Sequence, residues 1–148
     1  PQRPMARVAI KILRSGMGAL GEREAELLHL LRESPGFSSA NIVRAQASFR
    51  MLQHECIVME LLAQPLPHFL RSVRPFSLSM GTMQKLSMQL TVALAFLSSH
   101  GVIHADIRPE NVLVCLDRSP ESGGLKVKLA DFGNGMLEGQ GALACEGG

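Results

Sequence analysis

At 148 residues, of which 46% are hydrophobic, the chain is long enough to bury a substantial core. Its formal net charge is only +2 and its 15 Lys and Arg residues are scattered, so no direct nucleic-acid binding is expected. No apolar run approaches the ~18 residues that a membrane helix needs, so no membrane partner is expected either. The three cysteines are odd in number and lack C-x-x-C spacing, which favours an intracellular setting, nucleus or cytoplasm, over a disulfide framework or a zinc site.

The first predicted element is a strand over residues 8–13, where apolar side chains alternate and Lys11 is the cation. A glycine-containing turn leads to a helix over residues 20–32, which Ser34-Pro35-Gly36 ends. One stripe of that helix holds Leu20, Glu24, Leu27, Leu28 and Leu31. Glu24 is the only acid on this apolar stripe, so we expect its carboxylate to point inward, toward Lys11.

Strands are predicted next over residues 42–49 and 56–60. A short amphipathic helix is indicated around residues 66–73, and a longer helix over residues 82–100 ends at Gly101. The side of the longer helix that we expect to be buried holds Leu86, Leu90, Ala93, Leu94 and Leu97.

Two short apolar strands, over residues 112–115 and 127–130, flank a polar loop over residues 117–124. From Asn134 onward the chain is rich in glycine and has no periodicity, so no regular structure is expected there. The chain begins at Pro1 without Met, as an excerpt from a longer protein would.

The most informative residues surround these two strands. His104-Ala105-Asp106-Ile107-Arg108-Pro109-Glu110-Asn111 precedes the first strand, and Asp131-Phe132-Gly133 follows the second. An acid, an amide five positions later and a second acid opening D-F-G supply a base for a hydroxyl group and two oxygen ligands for Mg²⁺. Each half alone is a weak signal, whereas both in this order indicate phosphoryl transfer.

With Val8-Ala9-Ile10-Lys11, which matches the V-A-I-K motif, these segments make the chain resemble the protein kinase family over roughly residues 7–135. The resemblance implies an α+β, two-lobe fold. That fold would be incomplete at both ends, because neither a G-x-G-x-x-G segment nor an A-P-E motif is present. It divides the chain into a partial N-lobe (1–62), a partial C-lobe (63–135) and a disordered tail (136–148).

Two details make the chain resemble the CMGC group of kinases in particular. Cys56-Ile57-Val58-Met59-Glu60-Leu61-Leu62 is similar to the hinge of the DYRK family. Ala105 replaces the Arg of the usual H-R-D motif, and the residues around it resemble H-A-D-I-K-P-D-N-I-L-V of the pre-mRNA-processing splicing kinases. That Arg grips a phosphorylated activation loop in many kinases, so its replacement implies that this form of switching is absent.

The resemblance also implies that the chain binds ATP and Mg²⁺ and that its substrate is a protein. Lys11 would hold the ATP phosphates and pair with Glu24, while Asn111 and Asp131 would hold the metal ion. Carboxylate and amide oxygens are ligands that suit such a hard cation.

The adenine would be bound by residues of the first strand and of the hinge. By the same resemblance, Ala9 would cover the adenine ring and Met59 would lie at the rear of its pocket. The backbones of Glu60 and Leu62 would hydrogen-bond the edge of the ring.

Two residues of the catalytic segment are candidates for the transfer itself. Asp106 would accept or orient the proton of the substrate hydroxyl. Arg108 stands where kinases commonly carry a Lys that touches the transferring phosphate; it keeps the charge but is larger and planar, so turnover is expected to suffer. His104 is expected to be a packed structural histidine.

Three interpretations remain open. The favoured one is part of a Ser/Thr or dual-specificity protein kinase, because all five of its charged and metal-binding positions are retained. Arg108 and the missing Gly-rich segment favour instead a pseudokinase-like module that binds ATP or a protein without efficient transfer. The incomplete ends favour a truncated product with no function of its own.

Overall fold

The structure, a computed structural model, describes residues 7–72, 78–115 and 125–139. Its first part is a three-stranded antiparallel sheet with one helix against it, and its second part combines helices with short strand pairs. The first part holds β1 (Val8–Ile12), α1 (Gly18–Glu33), β2 (Ala45–Met51) and β3 (His54–Glu60). The second holds α2 (Leu66–Ser72), α3 (Met80–Ser99), β4 (Val102–Ile103), β5 (Val112–Val114), β6 (Val127–Leu129) and β7 (Met136–Leu137). Short 3₁₀ turns lie at Phe37–Ser39 and Pro109–Asn111, and the predicted α+β class is confirmed.

The sheet sets which side chains of β1 face the interior. Its strand order is β1-β3-β2, and Ala9 stands opposite Met59 while Lys11 stands opposite Ile57. Because side chains alternate between the two faces of a strand, Ala9 and Lys11 share the half-buried face. The exposed face carries the apolar side chains of Val8, Ile10 and Ile12.

Helix α1 packs its apolar stripe onto this sheet. Leu27, Leu28 and Leu31 are buried, and so is Glu24 at 2% exposure, as the stripe predicted. The prediction was wrong for Leu20, which is 45% exposed. At that end the helix approaches β3 through Gly21, where an added Cβ would lie 2.8 Å from Cβ of Glu55.

Helix α3 supports the second part of the chain. It begins after Ser79, whose Oγ accepts a hydrogen bond from the Thr82 N–H at 3.2 Å, and it ends before Gly101, whose φ is +61°. Leu86, Ala93 and Leu97 are buried as expected, and Leu90 is half-buried. The expected burial of Leu94 was wrong, because α3 is covered only along a narrow stripe by β4 and β6. Leu94 lies ~100° around the helix from Ala93 and is therefore 40% exposed.

We expected no regular structure from Asn134 onward and a disordered tail at 136–148. This expectation was wrong for the first two residues of that tail. Met136 and Leu137 form β7, which pairs antiparallel with β4. A two-residue strand is too short to show any periodicity in the sequence. Whether such a strand forms depends on the strand with which its backbone pairs. Residues 140–148, the polar loop 117–124 and the end of the predicted helix at Val73 lie outside the described residues.

The predicted strand over residues 42–49 begins later, at Ala45, because the residues before it bond to the second part of the chain. Ile42 forms a bridge with Leu129 of β6. The Val43 N–H donates to the Leu129 carbonyl at 2.9 Å, and the Leu129 N–H donates to the Asn41 carbonyl at 2.8 Å. The two parts are therefore joined here as well as through the connecting residues 61–65.

Candidate functional site

Lys11 is held by two carboxylates from different parts of the chain. Its Nζ lies 2.8 and 2.7 Å from the two oxygens of Glu24, and 2.7 Å from Oδ1 of Asp131. The predicted meeting of Lys11 and Glu24 is confirmed by these distances. Glu22, which lies off the stripe, is exposed and pairs with Arg50 instead. β1, α1 and the residues directly after β6 are therefore held together by the side chains of Lys11, Glu24 and Asp131.

This cluster shifts the pKa values of its members in opposite directions. Burial alone would lower the pKa of Lys11, but the hydrogen bonds with Asp131 and Glu24 outweigh it and raise that pKa above 10.5. Burial likewise opposes ionisation of Asp131, yet the hydrogen bond and charge of Lys11 hold its pKa below 3.8. Lys11 is therefore a fixed cation and Asp131 a fixed anion throughout the neutral range.

Asn111 orients the carboxylate of Asp106. Its Nδ2 donates to the Asp106 main-chain oxygen and to Asp106 Oδ2, both at 2.9 Å. Because both bonds use the amide nitrogen, the Asn111 amide oxygen is the atom left for a cation. The carboxylate of Asp131, at the same cavity, supplies further oxygen, so the donor set fits Mg²⁺.

His104 fixes the loop that carries Asp106. It is 2% exposed, and its ring lies 4.6 Å from that of Phe132 between ring centres. Nε2 contacts the Ala130 carbonyl at 3.1 Å, and the Asp106 N–H donates to Nδ1 at 3.3 Å. Only a neutral imidazole protonated at Nε2 satisfies both contacts, and burial lowers the His104 pKa accordingly. The residue is packed and structural, as expected.

A cavity of about 350 Å³ lies between the two parts of the chain. Its lining includes all eight of the sequence-predicted nucleotide residues, namely Ala9, Lys11, Glu24, Met59, Glu60, Leu62, Asn111 and Asp131. Val43, Leu113 and Ala130 add an apolar surface. A mainly apolar cavity of this size with a few convergent charges is the usual form of a small-molecule site.

Glu60, at the end of β3, has an unusual backbone arrangement. The Leu13 N–H donates to the Glu55 carbonyl, so Leu13 and Glu55 are a hydrogen-bonded pair of the β1–β3 ladder. Hydrogen-bonded and non-hydrogen-bonded pairs alternate along an antiparallel ladder. Glu60 and Val8 therefore form a non-hydrogen-bonded pair. Its N–H donates to the Arg44 carbonyl at 3.0 Å, but the Arg44 N–H donates to Oε1 of the Glu60 side chain at 2.7 Å. Among the described residues, none donates to the Glu60 carbonyl oxygen, so that oxygen is left for a ligand.

Arg108 is not brought to the cavity. Its Nε lies 3.0 Å from Oε2 of Glu110, and both side chains are more than half exposed. This pairing raises the pKa of Arg108 and lowers that of Glu110. Ala105, in the same loop, has φ +61° and Asp131 has φ +63°, a left-handed conformation that costs a non-glycine residue about 1–2 kcal/mol. Strain of this kind concentrates at functional sites.

Two charged residues at or next to the cavity were not predicted. Glu110 lines the cavity beside Asn111. Lys128 of β6 does not line the cavity, but its Nζ lies 2.5 Å from Oε1 of Glu60 and so joins β6 to the end of β3. A Lys in a short strand is typical of a solvated side chain, and its partner lies 68 positions earlier, so nothing local in the sequence indicates this contact.

The described part of the chain contains no cluster of three or more His, Cys, Asp or Glu side chains able to hold a metal ion. Neither Cys56 nor Cys115 is in a disulfide bond, and Cys145 lies outside the described residues. Within the same residues, no helix has both the length and the apolar character that crossing a membrane requires.

Comparison with known proteins gives matches along most of the chain. A family model described as the protein kinase domain matches residues 5–142. Homeodomain-interacting protein kinase 1 of Caenorhabditis elegans is 35% identical over 128 residues, which cover 86% of this chain and 15% of the relative. Homeodomain-interacting protein kinase 2 of Mus musculus is 34% identical, and 86% of this chain corresponds to 10% of that protein. The chain therefore spans only a small fraction of the length of the curated relatives it matches.

A solved kinase domain has a similar fold. It superimposes with a TM-score of 0.77 at 20% sequence identity, covering 93% of this chain and 46% of the solved chain. The similarity concerns the fold, and the chain corresponds to less than half of that domain.

Proposed function

Because the chain belongs to the protein kinase domain family, we propose that the protein containing it transfers the γ-phosphoryl group of ATP to Ser or Thr hydroxyls of proteins. One observation carries the proposal: Lys11, Glu24, Asn111 and Asp131 line one cavity, and Asn111 is bonded to Asp106. Each group has the chemistry that one part of phosphoryl transfer requires.

The nucleotide would be bound by residues of both parts of the chain. The adenine would lie against Ala9 and Met59, with its edge on the backbones of Glu60 and Leu62, because all four residues line the cavity. The phosphates would lie at Lys11, whose ammonium is held by Glu24 and Asp131. Since Lys11 remains charged at neutral pH, it stabilises negative charge on the phosphates without rearranging during the reaction.

Asp106 is the proposed base. Asn111 donates to Oδ2 of Asp106, which leaves Oδ1 free to accept the proton of a substrate hydroxyl. The Asn111 amide oxygen and the Asp131 carboxylate are the proposed ligands of Mg²⁺. When bound, Mg²⁺ neutralises charge on the phosphate oxygens.

The proposal is tested by a phosphotransfer assay on the full-length protein with Asp106→Asn. Loss of a general base costs typically about 10²–10⁴-fold in rate, while nucleotide affinity should stay within about threefold. Glu33→Gln is the matched control, because this acid is 75% exposed at the end of α1 and should leave transfer unchanged. Unchanged transfer in the Asp106 variant would reject Asp106 as the base.

A second candidate is a pseudokinase-like module that binds ATP or a protein without efficient transfer. The observation that favours it is that Arg108 does not line the cavity and is paired with Glu110 instead. Nucleotide binding by the unsubstituted protein, combined with no measurable transfer to a generic basic protein, would favour this candidate. A truncated product with no function would bind no nucleotide.

We also propose that the protein is located inside the cell, in the nucleus or the cytoplasm. That Cys56 and Cys115 form no disulfide is compatible with a reducing compartment. The proposed partners are ATP and a protein substrate, and no membrane or direct nucleic-acid partner is proposed.

A further inference from the structure

We infer that Lys128 is a positioning residue for the nucleobase, which it serves by holding the Glu60 side chain so that the Glu60 carbonyl stays free for a 6-amino group. The inference rests on the proposed function, since it assigns a specificity role within the same ATP site. It concerns a side chain that does not itself line the cavity.

The first step is the backbone pairing at the end of β3. In an ordinary antiparallel pair, two residues exchange both N–H to carbonyl bonds. Glu60 and Arg44 exchange only one, from the Glu60 N–H to the Arg44 carbonyl. The Arg44 N–H is taken by Oε1 of the Glu60 side chain at 2.7 Å. The carboxylate thus replaces the backbone carbonyl as the acceptor.

The second step is what keeps the carboxylate there. Lys128 stands opposite Leu113 in the β5–β6 pair, and Leu113 lines the cavity, so Lys128 lies on the face of the strand pair that looks toward β3. Its Nζ contacts the same Glu60 Oε1 at 2.5 Å. The side chains of Lys128 and Glu60 are only 20% and 26% exposed, so solvent screens this pair less than a surface ion pair.

The third step is the alternative hydrogen bond, from the Arg44 N–H to the Glu60 carbonyl, that Lys128 prevents. Without the ammonium, the Glu60 carboxylate gains hydration by turning to solvent. The Arg44 N–H, which must keep an acceptor, then bonds the Glu60 carbonyl, as in an ordinary ladder. The carbonyl is no longer available to accept from an exocyclic amine, so a purine with a 6-amino group loses one hydrogen bond.

The test compares ATP with inosine triphosphate, which carries a 6-oxo group in place of the 6-amino group. In the full-length protein, Lys128→Met should weaken ATP binding about fivefold, the size of one hydrogen bond, and inosine triphosphate binding less than twofold. The KM for ATP should rise by the same factor, with kcat changing less than twofold. Lys128→Arg should restore most of the ATP preference, and Lys126→Met, an exposed lysine two positions away, is the matched control.

Glu60→Ala provides a second variant that decides the matter if Lys128→Met does not fold. It removes both the side-chain acceptor of the Arg44 N–H and the charge that Lys128 binds, so the Arg44 N–H bonds the Glu60 carbonyl and the same selective loss of ATP affinity is expected. Equal losses for both nucleotides, or no loss, would overturn the inference while leaving the proposed function standing. An unsubstituted protein that binds ATP no better than inosine triphosphate would also overturn it. Failure of the unsubstituted protein to bind either nucleotide would instead overturn the proposed function, and the inference with it.

Discussion

The ammonium nitrogen of Lys11 lies 2.7 Å from Oε2 of Glu24, although the lysine belongs to the sheet and the glutamate to the helix packed on it. The Glu24 side chain is 1% exposed and the Lys11 side chain 32% exposed, so the acid is buried and the cation reaches the cavity. A buried carboxylate without this partner would be strongly unfavourable, so the contact sets the position of α1 against β1.

We expect Glu24→Gln to weaken both folding and nucleotide binding. The change removes a charged hydrogen bond, which is worth about 1–2 kcal/mol after allowing for the solvent exposure of Lys11. Lys11 would remain paired with Asp131 but would no longer be held toward α1 by a charged partner, so its ammonium would be less well placed for the phosphates. Denaturant unfolding and ATP titration measure the two effects. Glu22→Gln, on the exposed side of α1, should change neither, and equal effects in the two variants would contradict this role for Glu24.

The stability of the protein should fall in mildly acidic solution because of His104. Burial lowers its folded-state pKa below the ordinary 6.5, so the unfolded chain binds the proton first. The stability contributed by neutral His104 is therefore present above pH 6.5 and is lost as the pH falls through its folded-state pKa. Unfolding measured between about pH 5 and 8 should show this slope.

Two substitutions serve as controls for this pH dependence. His104→Gln should flatten the slope, at a cost in overall stability. His68→Gln, at an exposed position of α2, should leave the slope in place. A slope that survives in the His104 variant would assign the titration to another group.

The close approach of α1 to β3 makes Gly21 intolerant of a side chain. An added Cβ would lie 2.8 Å from Cβ of Glu55 and 3.0 Å from Cδ2 of Leu13. We expect Gly21→Ala to destabilise by about 1–3 kcal/mol, the usual cost of overpacking. Gly81→Ala in α3 is the matched control, because nothing lies within 4 Å of its added Cβ. That variant should gain up to ~1 kcal/mol from helix propensity, and a loss of similar size at both positions would contradict the steric explanation.

The 148 residues alone are expected to transfer phosphate poorly compared with the full-length protein. The chain covers 46% of the kinase domain that it resembles, and α3 leaves Met83, Met88, Val92 and Leu94 exposed by 40% or more. Positioning can supply roughly 7–11 kcal/mol of barrier reduction, and a partial scaffold loses part of it. The measurements are phosphorylation of a basic protein and thermal unfolding of both lengths. Comparable rates from the two would contradict this expectation.

The sequence predicted the contacts that depend on regular patterns and missed those that depend on distant partners. Glu24 was found because an acid on an apolar helical stripe must have a partner, and a lysine lay in the preceding strand. Lys128 was missed because its acceptor lies far away in the chain. Leu94 was misplaced because an amphipathic pattern gives the direction of a buried face but not the width of the elements that cover it. The pairing of Met136 and Leu137 depends on β4 and not on their own side chains.

The junction of Ile42 with Leu129 and the connecting residues 61–65 fix the two parts of the chain at two separate places. Two fixed places define an axis, so a rotation of one part that breaks neither must turn about the line between them. Such a rotation would lengthen the 2.7 Å contact between Lys11 and Asp131 and leave the hydrogen bonds of Val43 and Leu129 at the junction intact. The distance between Lys11 and Asp131 would then measure how far the two parts are closed on each other.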